Sequence, residues 1–249
     1  MASSKSKLIK TYVFFDLETT GLIDIKEDVM PSITELSMVA VDRIHFLNTP
    51  PYDVPRVQNR LLLCFNPEKK MSVESVELSR LNNALLETLS PFDKNSCDLI
   101  KLFISRLPKP VCLIAHNGLT FHFPILQHFM KLNAVELDAD VMCTDSLYAF
   151  YDIFGMGHVK QTKTFNELIR LKYYQFEYKV KSEYKPSQPF KLQHIYAREV
   201  QWPLYDSSKS QCQTLQVLKI ALKKAEKVIE WIDANHCKFS EVIVGENNQ

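Results

Sequence analysis

Two carboxylates stand together near the start of the chain, directly after an apolar segment. The segment Tyr12 to Phe15 is aromatic and β-branched, which predicts a buried strand, and Asp16 and Glu18 follow it. Side chains alternate along a strand, so these two acids lie on one face of it. Paired acids repel each other and lose hydration on burial, which argues against a packing role. They suit a hard divalent cation such as Mg²⁺, which prefers carboxylate oxygen; two solvated acids at a strand end are the alternative.

Apolar runs predict the strands that surround this acidic pair. The run Val111 to Ala115 has no polar side chain, as expected of a strand that is buried on both faces. We expect the first three strands to form a meander and the segment 141–144 to be the last strand. In addition to Tyr12 to Phe15, the predicted strands are residues 33–44, 61–65, 111–115 and 141–144.

Helices are predicted where apolar side chains recur every three or four residues. The pattern favours helices at 77–89 and 99–107, with a break near Pro91 between them. A further helix begins near Pro124, because proline is tolerated in the first turn of a helix. The segment 214–232 carries one continuous apolar stripe and predicts a single helix.

The composition is typical of one globular unit rather than a membrane protein. The chain has 249 residues, 46% of them apolar, and a net charge of +1, which suit a single α/β domain over residues 10–244. We expect a disordered N-terminus at 1–9 and a polar tail at 245–249. Six scattered cysteines indicate reduced thiols and hence a cytoplasmic or nuclear protein, and the lack of a long apolar run argues against a membrane location.

Residues 155–191 are the most basic part of the chain and form a basic loop or insert within the expected domain. They hold seven lysines and one arginine against three glutamates, a net charge of +5, with aromatic residues between them. Cations such as Lys160 and Lys163 can pair with phosphates while the rings stack on bases, so the stretch predicts contact with single-stranded nucleic acid. The alternative is a solvated connector whose aromatic side chains pack on the core.

Several short motifs in one order resemble the three-prime repair exonucleases of the DEDD superfamily. The resemblance runs from about Tyr12 to about Ile243. Besides the acidic strand end, its motifs are Ile-Thr-Glu-Leu at 33–36, Ala-His-Asn-Gly at 115–118, Phe-Pro-Ile-Leu at 123–126, Cys-Thr-Asp-Ser-Leu at 143–147 and Trp-Ile-Asp-Ala at 231–234. The resemblance implies a ribonuclease-H-like α/β fold, with a central mixed β-sheet flanked by helices. It also implies 3′→5′ deoxyribonuclease activity that uses Mg²⁺ or Mn²⁺.

The resemblance further implies four carboxylates that hold two cations, and a histidine that acts as the general base. Asp16 and Glu18 match the first two carboxylates. His122 and Gln213 stand at the positions of the other two, and Ser208 stands at the position of the histidine. Neutral side chains are poor ligands for Mg²⁺, and serine is not a base near neutral pH. We therefore expect weak or lost metal binding and no catalysis; a site rebuilt for Mn²⁺ or Zn²⁺ is the alternative.

The family's grip on a 3′ end implies a further set of binding positions. They lie around the first two motifs and are Thr19, Leu22, Leu78, His116, Asn117 and Phe121. Phe121 could stack on a base, and ordinary core packing is the alternative for it. The resemblance implies the 3′ end of single-stranded DNA or RNA as the ligand, and a homodimer or a heterodimer with an active relative. A protein-interaction scaffold that binds no nucleic acid is a third hypothesis.

Overall fold

A mixed six-stranded sheet lies at the centre of the computed structural model, which describes residues 8–24, 27, 29–154, 191–201 and 210–242. The strands are β1 Thr11–Thr19, β2 Ile33–Asp42, β3 Asn59–Cys64, β4 Val111–Ala115, β5 Val141–Asp145 and β6 Cys237–Lys238. Their order across the sheet is β3-β2-β1-β4-β5-β6. β1, β4 and β5 run parallel, while β2, β3 and β6 are antiparallel to their neighbours. The expected mixed sheet is confirmed, but β5 is not the last strand, because β6 pairs with it.

Helices flank both faces of this sheet. In the described part of the chain they are α1 Arg43–Leu47, α2 Val73–Ser79, α3 Asn83–Leu86, α4 Lys94–Ser105, α5 Phe123–Leu132, α6 Ser146–Phe154, α7 Leu192–Glu199, α8 Ser210–Leu222 and α9 Ala225–Ala234. A π-helical turn, Gly118–His122, directly precedes α5, and a 3₁₀ turn, Phe239–Glu241, follows β6. Among the helices listed above, none is both long and apolar enough to cross a bilayer.

The alternation of side chains along β1 gives each face of the sheet its own core. Val13 and Phe15 pack on one face with Ile100 of α4. Phe14 packs on the other face with Leu218 of α8. Asp16 and Glu18 follow Phe14 at steps of two residues, so their side chains lie on the same side of the sheet as Phe14, the side that α8 covers.

The single helix expected over 214–232 is wrong. The chain forms α8 and α9 and turns between them at Lys223 and Lys224. Nζ of Lys224 donates to the carbonyl of Ile153 at 3.0 Å and lies 4.5 Å from the centre of the Phe154 ring. Both helices bury apolar side chains in the same core, so the apolar stripe is real although the helix is not continuous. A contact with α6 therefore accompanies a turn that periodicity alone does not show.

The helix expected over 77–89 is also wrong, because local capping divides this segment. α2 ends at Arg80, which has a left-handed φ of 57°, and α3 follows Asn82, whose side chain accepts the N–H of Leu85. Side-chain caps of this kind satisfy backbone groups that a helix end leaves free. The leucines at helical spacing do not form a buried face, since Leu78 is 71% exposed and Leu85 is 62% exposed.

Gly118, at the start of the π-helical turn, has no room for a side chain. A Cβ placed there would lie 2.5 Å from Cε2 of Phe123 and 3.0 Å from Cβ of Ala115. Phe123 is fully buried, so its ring cannot move aside without disturbing the core. We expect Gly118→Ala to lower the free energy of unfolding by about 1–3 kcal/mol, measured by urea denaturation. Gly21→Ala is the control, because nothing lies within 4 Å of a Cβ there; equal losses in the two variants would contradict this packing.

Candidate functional site

Three carboxylates meet at the end of β1, one more than the sequence pattern predicts. Asp16 and Glu18 lie on one face of the strand, and Glu35 of β2 is paired directly with Glu18. Residues paired across an antiparallel ladder share a face, so Glu35 joins the acidic pair. Asp16 is 4% exposed and Glu35 is 7% exposed. Glu35 belongs to the motif at 33–36, but only the register of the two strands shows that it is part of this cluster.

Burial and mutual repulsion favour protonation of Asp16 and Glu18. Burial raises the pKa of Asp16 well above its ordinary value, and the charges of Glu18 and Glu35 raise it further. Burial also raises the pKa of Glu18 to about 7; the charge of Glu35 adds to this rise, and a hydrogen bond with Gln213 opposes it. Burial and repulsion between like charges therefore disfavour the charged forms of Asp16 and Glu18.

Gln213 contacts this cluster from α8. Its Nε2 donates to Oε1 of Glu18 at 2.9 Å. α8 packs across β1 and β2, and Thr214 and Leu218 are fully buried, so the helix sets the position of Gln213. An amide N–H carries only a partial positive charge. The contact therefore satisfies one acceptor of Glu18 without neutralising the carboxylate.

His122 reaches the cluster from the π-helical turn. Its Nδ1 accepts the backbone N–H of Leu17 at 3.2 Å, and its Nε2 lies 3.4 Å from Oδ1 of Asp16. Burial lowers the pKa of His122 to about 3; the nearby His116 lowers it further, and a hydrogen bond to the His116 backbone opposes the shift. The ring is therefore neutral. Because Nδ1 is an acceptor, the single ring proton is on Nε2.

Asp145 holds the turn that carries His122. Its carboxylate, at the end of β5, accepts the backbone N–H groups of Asn117 at 2.9 Å, Leu119 at 3.1 Å and Leu147 at 2.9 Å. Burial raises the pKa of Asp145 to about 6, and hydrogen bonds from the backbone oppose that rise. The motif at 143–147 contains Asp145 without showing its role. These contacts identify it as a positioning residue.

Comparison with known proteins shows which family this arrangement belongs to. Three-prime repair exonuclease 1 of Bos taurus is 30% identical over 246 residues, which cover 94% of this chain and 70% of that protein. The chain belongs to the three-prime repair exonuclease family. Three prime repair exonuclease 2 of Homo sapiens is 35% identical over 154 residues, which cover 59% of this chain and 63% of that protein. No protein-family model matches the chain.

A solved structure shares the fold. E. coli exonuclease I in complex with a dT13 oligonucleotide superposes with a TM-score of 0.58 at 12% sequence identity. The superposition covers 86% of this chain and 40% of that chain, so this chain spans less than half of exonuclease I. At this identity the likeness concerns the fold, and it confirms the ribonuclease-H-like exonuclease fold that the motifs imply.

The positions that match the three-prime repair exonucleases' grip on a 3′ end divide into exposed and buried ones. Leu22 is 83% exposed, and Leu78 of α2 is also largely exposed. Thr19 is buried, and its Oγ1 donates to the carbonyl of Gly21 at 2.7 Å. Phe121 is partly buried and packs against the core. The exposed leucines are therefore available to a ligand, while Thr19 is engaged with the backbone.

Two further matching positions lie beside the π-helical turn. Nδ1 of His116 is 3.2 Å from Oγ of Ser146, and Oδ1 of Asn117 accepts a hydrogen bond from Oγ1 of Thr120. Asn117 adopts a left-handed conformation with a φ of 63°. The structure thus brings His122 and Gln213 to the acidic cluster and leaves His116 and Asn117 in local contacts. The remaining predicted site residues fall outside the described ranges: Lys160, Lys163 and Ser208.

The described residues do not fit the pair of cations that the family resemblance implies. Oδ2 of Asp16 is buried and has no hydrogen-bond partner among the described residues, so one oxygen is available to a cation. Gln213, however, directs an N–H at Glu18, and Nδ1 of His122 accepts the backbone N–H of Leu17. Within the described ranges no group of three or more His, Cys, Asp or Glu side chains is arranged to hold a metal ion. The described residues therefore supply too few oxygen ligands for a cation that takes about six.

The raised pKa of Glu18 makes stability depend on pH. The folded protein keeps a proton on Glu18 up to about pH 7, whereas the unfolded chain releases it near the ordinary pKa of 4.5. The stabilisation is therefore complete below pH 4.5 and is lost as the pH rises to about 7. We expect Glu18→Gln, which cannot titrate, to flatten this loss and to be more stable than the parent at about pH 8. The measurement is urea denaturation across this range.

The exposed Glu77 offers a matched control for the charge change. Glu77→Gln should leave the pH profile of the parent unchanged, because its carboxylate lies in solvent. A Glu18→Gln profile that runs parallel to the parent's over the same range would contradict a raised pKa at this site.

Proposed function

We propose that this chain binds the 3′ end of single-stranded nucleic acid and holds it without hydrolysis. The observation that carries the proposal is the hydrogen bond from Nε2 of Gln213 to Oε1 of Glu18. An amide donor occupies this position, where metal-assisted hydrolysis needs an anionic ligand. Family membership supports nucleic acid as the ligand, because the curated relatives are exonucleases. Exonuclease I, which has a similar fold, is bound to a dT13 oligonucleotide.

The loss of hydrolysis follows from three substitutions together. The ring of His122 is neutral, and its Nδ1 lone pair accepts the backbone N–H of Leu17. Gln213 contributes no negative charge, and Ser208 stands where the family resemblance implies a basic histidine. Loss of a general base alone costs roughly 10²- to 10⁴-fold in rate. Loss of anionic ligands removes the support on which metal-assisted hydrolysis depends.

Binding uses groups that are separate from the catalytic positions. Leu22 and Leu78 present exposed apolar side chains. The N–H of Ser72 donates to the carbonyl of Thr20 at 2.9 Å, which joins the start of α2 to the end of β1. Apolar groups at this end of the sheet can pack on terminal bases, while the cations of the 155–191 stretch pair with phosphates. None of these interactions needs a metal ion.

The proposal includes a second protein chain. β3 lies at an edge of the sheet, and within the described ranges its outer backbone edge pairs with no other strand. Exposed strand edges can pair with strands of other chains. A homodimer, or a heterodimer with an active family member, can form through this edge. The single domain over residues 10–244 and a cytoplasmic or nuclear location stay predictions from the sequence.

A nuclease and binding assay on one oligonucleotide tests the proposal. We expect the parent protein to leave a 5′-labelled single strand intact in Mg²⁺, Mn²⁺ and Zn²⁺, at a rate at least roughly 10⁴-fold below that of an active relative. We expect the same oligonucleotide to bind in EDTA, measured by fluorescence anisotropy. Asp16→Ala is the control, because it removes a carboxylate of the cluster and separates activity at this site from a contaminating nuclease.

Two outcomes of this assay would contradict the proposal, and each would favour a different function. Degradation in Mn²⁺ or Zn²⁺ that Asp16→Ala abolishes would identify an active exonuclease with altered metal ligands. The observation that favours this second candidate is the buried Oδ2 of Asp16, which has no hydrogen-bond partner in the part of the chain that the structure describes. Failure to bind single strands in any of these buffers would favour the protein-interaction scaffold.

The basic stretch gives a prediction about salt dependence. Replacing Lys160 and Lys163 with glutamine should weaken binding of single strands and reduce the slope of log K against log salt by about 1.4, because two fewer counterions are released. Lys101→Gln with Lys131→Gln is the matched control, since these exposed lysines lie on α4 and α5. Equal changes in both pairs, measured by anisotropy at several salt concentrations, would place the phosphate contacts elsewhere.

A further inference from the structure

We infer that Cys143 and Cys237 form a modification site, at which a peroxide oxidises the two thiols to a disulfide that joins β6 covalently to β5. Their Sγ atoms are 3.5 Å apart, and both side chains are buried. All five cysteines in the described ranges are free thiols, so the disulfide is a second state of the chain. The inference goes beyond the proposed function, because neither cysteine belongs to the acidic cluster or to the proposed binding positions.

The register of the sheet places the two cysteines opposite each other. Cys143 of β5 pairs directly with Cys237 of β6 in an antiparallel ladder. Directly opposed residues in such a ladder have Cα atoms about 4.5–5.5 Å apart, and disulfides span Cα separations of about 4.4–6.8 Å. A disulfide therefore needs rotation of the two side chains but no change of register. Sequence spacing does not show this pair, because 94 positions separate the two residues.

The sheet keeps Cys112 apart from this pair. Cys112 of β4 packs in the core that α8 covers, whereas Cys143 and Cys237 pack in the core on the opposite face. The alternation of side chains explains the difference, since Leu113 and not Cys112 is paired with Cys143. Cys97 of α4 makes a different contact, because its thiol donates to a backbone carbonyl of α5 at 3.9 Å. We therefore expect oxidation to link Cys143 with Cys237 and with no other cysteine of the two cores.

Cys237 is the thiol that meets the oxidant first. It is 6% exposed, whereas Cys143 is fully buried. Burial raises the pKa of the Cys143 thiol well above its ordinary value, and its hydrogen bond with Cys237 raises it further, so Cys143 is a poor first nucleophile. β6 has only two residues, and short peripheral elements are among the parts of a fold that open locally. Opening of β6 exposes Cys237 to a small oxidant while Cys143 stays in the core.

The oxidation takes two steps. The thiolate of Cys237 attacks one oxygen of hydrogen peroxide, the O–O bond breaks, and a sulfenic acid and hydroxide form. Closing of β6 returns the sulfenic acid to Cys143, whose sulfur attacks the sulfur of Cys237, so that the S–S bond forms as the S–O bond breaks. The two oxygens take up the two thiol protons and leave as two water molecules. The two sulfurs thereby lose two electrons, and the peroxide gains them.

The disulfide would fasten the last strand of the described chain to the sheet. In the described ranges β6 pairs with β5 at two positions only. Beside this short ladder, Oγ1 of Thr144 donates to the carbonyl of Asn235 at 2.6 Å. Nε2 of Gln127 donates to the carbonyl of Phe239 at 3.1 Å. A crosslink between positions so far apart in the chain restricts the unfolded state, so oxidation should stabilise the fold.

Oxidation of the full chain with hydrogen peroxide, followed by peptide mapping without reductant, tests the inference. The chain is first reduced and freed of reductant, and the thiols that remain after oxidation are alkylated during unfolding. We expect one crosslink within the chain, between the peptide that contains Cys143 and the peptide that contains Cys237, and we expect dithiothreitol to reverse it. The oxidised protein should melt about 4 °C or more above the reduced protein, because the crosslink closes a long loop.

Cys237→Ser is the test variant, and Cys97→Ser is the matched control. Cys97→Ser removes another buried thiol, so it should form the crosslink as the parent does. Cys237→Ser should keep Cys143 as a thiol, and peroxide should not raise its melting temperature. If Cys237→Ser does not fold, the peptide map of the parent decides the question. The inference is overturned if Cys143 and Cys237 do not become linked, if either is linked to another cysteine instead, or if the crosslinked chain melts no higher than the reduced one.

Discussion

Three carboxylates that the sheet places side by side, two of them buried, set the main constraint on this structure. The pairing of β1 with β2 puts Glu18 opposite Glu35, and the alternation along β1 puts Asp16 on the same face. The register of a buried strand cannot slip by one residue without moving every core side chain to the other face. The acids therefore stay together, and the surrounding elements must supply cations or hydrogen-bond donors. One of these donors is the amide of Gln213, which contacts Glu18.

Gln213 and His122 are held by elements whose own positions come from the two cores. α8 buries Leu218 against the sheet and thereby carries Gln213 to the end of β1. The carboxylate of Asp145 accepts backbone N–H groups from the turn after β4, and that turn continues to His122. The acidic residues lie in β1 and β2, but neither hydrophobic core includes their side chains. A chain can therefore keep the three-prime repair exonuclease fold while the side chains at the strand end change their chemistry.

Fold and chemistry carry different information about function here. Membership of an exonuclease family describes the scaffold, but hydrolysis depends on particular side chains at the site. Under our proposal the groups that bind a strand end are separate from the groups that would cut it. The exposed Leu22 and Leu78 and the basic stretch 155–191 belong to the first set. Substitution at His122 and Gln213 affects the second set, so a chain can lose hydrolysis and still bind a strand end.

The sequence by itself determined the local features of this protein. Periodicity predicts most of the strands and places Asp16 and Glu18 on one face, because strand geometry depends on neighbouring residues. The motifs identified the family and with it the fold. Only the tertiary structure decided that Glu35 joins the cluster and that Gln213 meets Glu18 across 195 residues. It also decided the break between α8 and α9. Register, packing and long-range hydrogen bonds set these features, and none of them leaves a periodic pattern in the chain.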